Sequence, residues 1–167
     1  MLYYINSFYL YSLFGFILES TVFKISKSKK YSGICYGPYT FVYGFGIVSL
    51  LLVKKYFLDR LKMNKYCKVV VTFIVCTMVL TIIEYIGGNV LRDIFGINMW
   101  NYAKKTYNFG KYICLQLSMT WGVLGTLYIY CFKDFFDKFI KLIPRWVTIL
   151  IMIINIIDIV ITLVNKL

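Results

Sequence analysis

The chain has 167 residues, of which 60% are hydrophobic and 20% aromatic, and its mean hydropathy is +0.74. Soluble domains average about 45–50% apolar residues, and the excess here forms long runs, so a separate soluble catalytic or nucleotide-binding domain is excluded. The formal charge is +12, but the cations occupy short bridges between apolar runs, as in membrane loops, so we expect no nucleic-acid partner.

Five apolar stretches predict membrane-spanning helices, because about 18 apolar residues with almost no charge can cross a bilayer. The first stretch lacks the basic start and small-residue cleavage site of a signal peptide, so we expect a retained helix. The chain is then one all-α, multi-pass domain of the plasma membrane, with the lipid bilayer as its first partner. The predicted spans are residues 2–23, 36–53, 69–91, 113–132 and 146–164.

The connectors between these spans are basic or aromatic. Residues 24–30 and 54–68 are basic, and residues 133–145 show the spacing of a short amphipathic helix lying on the membrane. Residues 93–112 combine aromatic side chains with Asn and Lys, which predicts either an interfacial anchor or a re-entrant segment that folds back as a lid.

Pro38 is expected in the first turn of the second span, where its missing N–H is harmless.

Positive charge barely distinguishes the two sides of the membrane. Ten Lys and Arg residues fall on the side of the N-terminus and nine on the opposite side. The densest connector, residues 54–68, lies on the N-terminal side, so we expect a cytoplasmic N-terminus and a C-terminus on the other face.

Three carboxylates lie inside the apolar spans: Glu19, Glu84 and Asp158. Each opposes insertion by about 2.5–3.5 kcal/mol at a helix centre, which the surrounding apolar residues outweigh. The predicted spans contain no Lys or Arg, so the acids must be protonated, hydrogen-bonded to neutral groups or exposed to a water-filled cavity. The alternative is a carboxyl near a helix end that merely reaches the interface.

Small and hydroxyl-bearing residues accompany the acids at helical spacing. Such residues let helices approach closely in lipid, so they predict faces that point into the bundle. Packing explains the Gly and Ser residues but not the acids, which favours Glu19 and Glu84 as groups of a shared polar pocket. The stripes are Ser12, Gly15 and Glu19; Thr77, Thr81, Glu84 and Gly88; Ser118, Gly122 and Gly125; and Asn155, Asp158 and Thr162.

The chain has no His and five Cys. Without His, Ser-His-Asp and Cys-His catalysis, His metal sites and His pH switches are excluded. The Cys residues are odd in number, form no C-x-x-C pair and lie in or beside apolar runs, as small apolar side chains of a bundle do. We therefore expect no metal and no cofactor.

Seven short motifs occur in order over residues 8–125. They are Gly15-Phe16-Ile17-Leu18-Glu19, Gly37-Pro38, Tyr43-Gly44-Phe45-Gly46, Glu84-Tyr85-Ile86-Gly87, Trp100-Asn101-Tyr102-Ala103, Tyr107-Asn108-Phe109-Gly110 and Ser118-Met119-Thr120-Trp121-Gly122. This ordered set resembles the bacterial membrane-protein family described as putative ABC-transporter type IV, or CmpB-like. The chain departs from the family in two loops: Tyr31-Ser32-Gly33 replaces an Asn-Arg-Gly, and Asn101 replaces an Asp. A basic and an acidic group are thus missing, and if the two work as a pair, this member is altered in function.

The resemblance implies a transporter or permease subunit with a polar intramembrane pocket. The chain has no ATP-binding motif, so ATP coupling requires a separate ATPase subunit, and a chain of this size needs a homo-oligomer or a partner to form a pathway. The implied pocket residues are Glu19, Glu84, Tyr43, Trp100, Asn101, Asn108 and Trp121. The implied structural residues are Gly37, Pro38, Gly44, Gly46, Gly110 and Gly122.

Two alternatives remain open. One is an accessory membrane protein that scaffolds others. The other is a membrane-embedded enzyme that acts on lipid-linked substrates, with Glu19 or Glu84 as its acid or base. The sequence shows no nucleophile and no metal-ligand set for such an enzyme, so we expect a protein that is not an enzyme.

Overall fold

The computed structural model describes residues 1–27 and 32–166. Lys29 and Lys30 of the predicted basic stretch, and Tyr31 of the first departure from the family, lie outside the described residues. The predicted all-α class is confirmed, since helices make up most of the described chain. They are α1 (Leu2–Ile25), α2 (Phe41–Tyr56), α3 (Lys65–Phe95), α4 (Leu115–Leu127), α5 (Lys133–Leu142) and α6 (Arg145–Lys166).

In the part of the chain that the structure describes, 4 helices are long and apolar enough to cross a membrane. They are α1, α2 with the 3-10 turn Leu58–Arg60 that follows it, α3 and α6. They correspond to the first, second, third and fifth predicted spans. The fourth predicted span is helical but interrupted, because the 13 residues of α4 are followed by 5 residues of π-helix, Tyr128–Phe132, which lead directly into α5.

The second helix begins later than the sequence predicts. It starts at Phe41, so Pro38 precedes the helix instead of occupying its first turn. The backbone N–H groups of Tyr36 and Gly37 donate to the Asp158 carboxylate, each at 2.9 Å. Because this side chain satisfies them, the segment before the helix needs no helical hydrogen bonds.

By its internal contacts the chain divides into two compact units. The first comprises Met1–Val48 and Phe136–Leu167, and the second comprises Ser49–Phe135. The first unit is built on α1 and α6, and the second on α3 and α4. That they form one membrane domain stays a prediction.

In the first unit, α1 and α6 run in the same direction. Near the start of both helices, Thr148 Oγ1 donates a hydrogen bond to Asn6 Oδ1 at 2.7 Å. Towards the end of α6, Asp158 binds the loop that follows α1. Parallel first and last helices are what a chain of five spans requires, and the opposite locations of the two termini stay a prediction.

The predicted amphipathic helix in residues 133–145 is confirmed as α5, and its side chains face in three directions. Asp137 points towards α1, where Tyr3 Oη donates to its carboxylate at 2.6 Å. Phe135 and Phe139 are 55% and 52% exposed on a second side, and Lys138 is exposed on a third. A helix with one side against the protein, one exposed apolar side and one exposed polar side fits a location at the membrane boundary. That location stays a prediction.

In the second unit, α3 and α4 pack closely through their small residues. A Cβ atom placed on Gly122 would lie 2.9 Å from Phe73 Cε2 and would also collide with the Thr77 hydroxyl. A Cβ atom on Gly125 would lie 3.0 Å from Cys76 Cβ. The stripes predicted on these two helices therefore face each other, as expected for helices that approach closely in lipid.

The aromatic segment between α3 and α4 folds back onto α3. Two short strands, Asn108–Phe109 and Ile113–Cys114, pair antiparallel within it, which the sequence does not predict. The ring of Tyr112 packs on α3 at Gly88, where a Cβ atom would lie 2.7 Å from Tyr112 Cγ. Whether the segment lies at the membrane interface or is re-entrant stays a prediction.

Candidate functional site

Glu19 lies in the second half of α1 and accepts two hydrogen bonds. Ser32 Oγ, from the loop after α1, donates to Glu19 Oε2 at 2.8 Å, and Tyr43 Oη, from α2, donates to Oε1 at 3.3 Å. Ser32 is buried and Glu19 is half-buried. Both donors are neutral, and among the described residues Glu19 forms no ion pair.

A second hydroxyl extends this network. Thr40 Oγ1 lies 2.9 Å from Ser32 Oγ, and both residues are buried. Each hydroxyl has one proton to donate. When Glu19 is ionised, Thr40 donates to Ser32 and Ser32 donates to Glu19. When Glu19 carries the proton, Glu19 donates to Ser32 and Ser32 donates to Thr40. The surroundings of Glu19 can therefore accommodate both protonation states.

Glu84 lies on α3 and is only 7% exposed. Tyr102 Oη, from the aromatic segment, donates to Glu84 Oε1 at 2.9 Å, and Trp121 Nε1, from α4, donates to Oε2 at 3.1 Å. An indole N–H can only donate, so Oε2 accepts in every state. A proton on this carboxyl would therefore sit on Oε1, opposite a tyrosine hydroxyl that can also accept.

The two acids have the same kind of surroundings, one in each compact unit. Each lies on the first helix of a helix–loop–helix pair, with one donor from the loop and one from the second helix. A hydrogen bond to an ionised group contributes about 1.5–3 kcal/mol. Two such bonds offset the about 2.5–3.5 kcal/mol by which a carboxylate opposes insertion.

Asp158 differs from both Glu residues because main-chain N–H groups bind both of its carboxylate oxygens, with a longer bond of 3.5 Å from Thr162 Oγ1 to Oδ1. Its two carboxylate oxygens accept the N–H groups of Tyr36 and Gly37. A Cβ atom on Gly37 would lie 2.9 Å from Asp158 Oδ2, so this approach requires Gly. Main-chain donors cannot rotate away, and Asp158 therefore acts as a clamp on the loop between α1 and α2.

Of the pocket residues implied by the sequence, Tyr43 and Trp121 do contact the acids. The sequence does not identify Ser32, Thr40 or Tyr102 as site residues. Tyr102 stands inside the Trp100–Ala103 motif, and this was the one available signal. Ser32 and Thr40 lie in a loop whose folding against α1 no helical spacing can predict.

Asn101 and Asn108 contribute to the shape of the aromatic segment. Both are exposed. The side chain of Asn101 accepts the N–H of Ala103 at 2.9 Å, and the side chain of Asn108 donates to the carbonyl oxygen of Gly110 at 2.9 Å. These bonds hold the turns of the segment from which Tyr102 reaches Glu84.

Four other predicted residues lie on α2 or in the aromatic segment. Gly44 is buried where α2 meets α1, since a Cβ atom there would lie 2.6 Å from the carbonyl oxygen of Phe8. Gly46 is buried on the same helix. Gly110 has a φ of +65°, a left-handed conformation that favours Gly. The Trp100 indole nitrogen is buried with no hydrogen-bond partner among the residues described.

Comparison with known proteins identifies one family. The family described as putative ABC-transporter type IV matches residues 6–165, which is nearly the whole chain and extends the resemblance seen in residues 8–125. No curated protein and no solved structure matches the chain.

Proposed function

Since the chain belongs to the putative ABC-transporter type IV family, we propose that it is the membrane subunit of a transporter in the plasma membrane, with Glu19 and Glu84 as its solute-binding groups. The family description and the apolar helices support the coarser statement, a membrane component related to ABC transporters. The roles of the two acids rest on the geometry of their surroundings.

One observation carries the proposal: among the described residues both Glu side chains are held by neutral side-chain donors, and each has at least one hydroxyl donor whose O–H can turn away. Ser32 and Tyr43 at Glu19, and Tyr102 at Glu84, are hydroxyl donors on freely turning bonds. A carboxylate inside a span with no cationic partner is costly, and such groups commonly mark solute or ion pathways. A solute can replace these hydroxyls on the carboxylate without breaking the fold.

The chemistry of the carboxyl groups indicates what the solute must present. An ionised carboxylate only accepts hydrogen bonds. The solute therefore carries donors such as ammonium, guanidinium or hydroxyl groups at the points where Ser32, Tyr43 and Tyr102 now donate. We propose that each acid binds solute within its own unit, with the aromatic segment over Glu84, and that a separate ATPase subunit or a second copy of the chain completes the transporter.

The proposal is tested by the small-molecule content of cells. Deleting the gene is expected to change the intracellular level of a small set of solutes measured by mass spectrometry, and wild-type protein should restore it. Glu19→Gln and Glu84→Gln, each expressed at the wild-type level, should leave the deletion profile unchanged, because an amide is neutral and offers one acceptor oxygen where the carboxylate offers two.

Asp93→Asn is the matched control, since Asp93 is an exposed acid at the end of the same helix as Glu84. It should restore the wild-type profile. If both Glu variants also restore it, the acids bind no solute and the scaffold alternative is favoured. If deletion changes no solute at all, the transport proposal itself is wrong.

A further inference from the structure

Residues 54–68 run from the last turn of α2 into the first turn of α3 and present a dense group of cations, here called the basic connector. It contains six Lys and Arg residues and one acid, Asp59. Lys54 Nζ pairs with Asp59 at 2.7 Å, so the single acid of the connector is paired with a cation in the last turn of α2. The side chains of Arg60, Lys62 and Lys65 are exposed.

The fold holds this connector in a fixed shape. Leu58 is 1% exposed and anchors the 3-10 turn Leu58–Arg60. Asn64 is the N-cap of α3, and its side chain accepts the N–H of Cys67 at 2.9 Å. A buried residue in the middle of the connector and a capped helix at its end therefore hold its backbone, so its exposed cations are in place before a ligand binds.

The position of the connector in the chain favours the headgroup level of a bilayer. It joins the ends of two helices that are apolar enough to cross a membrane. Tyr56, Phe57 and Tyr66 are 54%, 47% and 83% exposed within it. Exposed aromatic rings beside the end of a span settle at the headgroup level, and neighbouring cations attract anionic headgroups.

We propose that the basic connector is a binding surface for anionic phospholipid headgroups. Exposed cations, aromatic anchors and the ends of two spans meet there, and phosphate groups of the bilayer supply the complementary charge. The surface is independent of the two Glu sites, so it stands or fails separately from the transport proposal.

The test uses the purified full-length chain in nanodiscs. Phosphatidylcholine discs are compared with discs in which part of the lipid is phosphatidylglycerol, and the unfolding temperature is measured by intrinsic fluorescence. The anionic lipid should raise the unfolding temperature, and the rise should fall by at least half in the triple variant Arg60→Gln, Lys62→Gln, Lys65→Gln. High salt should abolish the rise in wild-type protein.

A matched variant removes three exposed cations from the aromatic segment: Lys104→Gln, Lys105→Gln, Lys111→Gln. It should keep the wild-type rise, and both triple variants should unfold like wild type in phosphatidylcholine. Equal loss in the two variants would show a general effect of net charge and overturn the proposal. So would the absence of any rise, or an equal rise when inorganic phosphate is added to phosphatidylcholine discs.

Discussion

Replacing Gly122 with Leu is expected to prevent α3 and α4 from packing. Even a single Cβ atom at this position would lie 2.9 Å from Phe73 Cε2 and collide with Thr77, and Leu adds three further carbons. Overpacking typically destabilises by about 1–3 kcal/mol and occasionally by more, and Thr77 Cβ, 3.1 Å from the added Cβ atom, is bonded directly to the main chain of α3. We expect the variant to lose most of its monodisperse yield in detergent, measured by size-exclusion chromatography.

The neighbouring substitution Val123→Leu serves as the control. Val123 is 49% exposed, so added bulk there faces outwards and should change the unfolding temperature little. Gly122→Ala should fall between the two variants. A Gly122→Leu protein that purifies and unfolds like wild type would contradict the close approach of α3 and α4.

Asp158→Asn is expected to lower the free energy of unfolding by about 1–3 kcal/mol. Both oxygens of Asp158 accept main-chain N–H groups, from Tyr36 and Gly37. The Asn side chain keeps one acceptor oxygen, but its amide nitrogen cannot accept a hydrogen bond, so one N–H loses this partner. Thermal unfolding in detergent should detect the loss, together with faster proteolysis of the loop between α1 and α2.

Asp134→Asn makes the same chemical change at a side chain that is 98% exposed, and it should leave both measurements unchanged. The clamp role of Asp158 would be wrong if the two variants were equally stable.

The sequence predicts the helices well because apolar length and charge determine membrane insertion. Every predicted span overlaps a helix, and the small-residue stripe of α4 faces that of α3. The predicted start of α2 was wrong because Asp158, 121 residues away from Gly37, accepts hydrogen bonds from the main-chain N–H groups that precede the helix. Partners so distant in sequence leave no local pattern.

The candidate site was predicted only in part, for a similar reason. Helical spacing places Glu19 and Glu84 on inward-facing stripes, and the family motif contains Trp121. Their loop donors, Ser32 and Tyr102, depend on how two connectors fold back, and hydroxyls in a loop carry no periodic signal. Whether the two acids share one pocket stays a prediction.

The central claim is that Glu19 and Glu84 act on a solute and are not needed for the fold, and the double variant Glu19→Gln, Glu84→Gln tests it most directly. Gln can retain the observed bonds: its oxygen accepts from Trp121 at Glu84, and its amide nitrogen donates to a hydroxyl that reverses, such as Tyr102. A Gln at position 19 can likewise accept from one of its two hydroxyl partners, Tyr43 and Ser32, and donate to the other.

The measurement pairs the unfolding temperature of the purified double variant with its ability to rescue a deletion strain. We predict a protein that unfolds at or above the wild-type temperature, reaches the membrane in wild-type amount and fails to rescue. A double variant that is equally stable and rescues fully would contradict the claim and leave the two acids as packing residues of a scaffold.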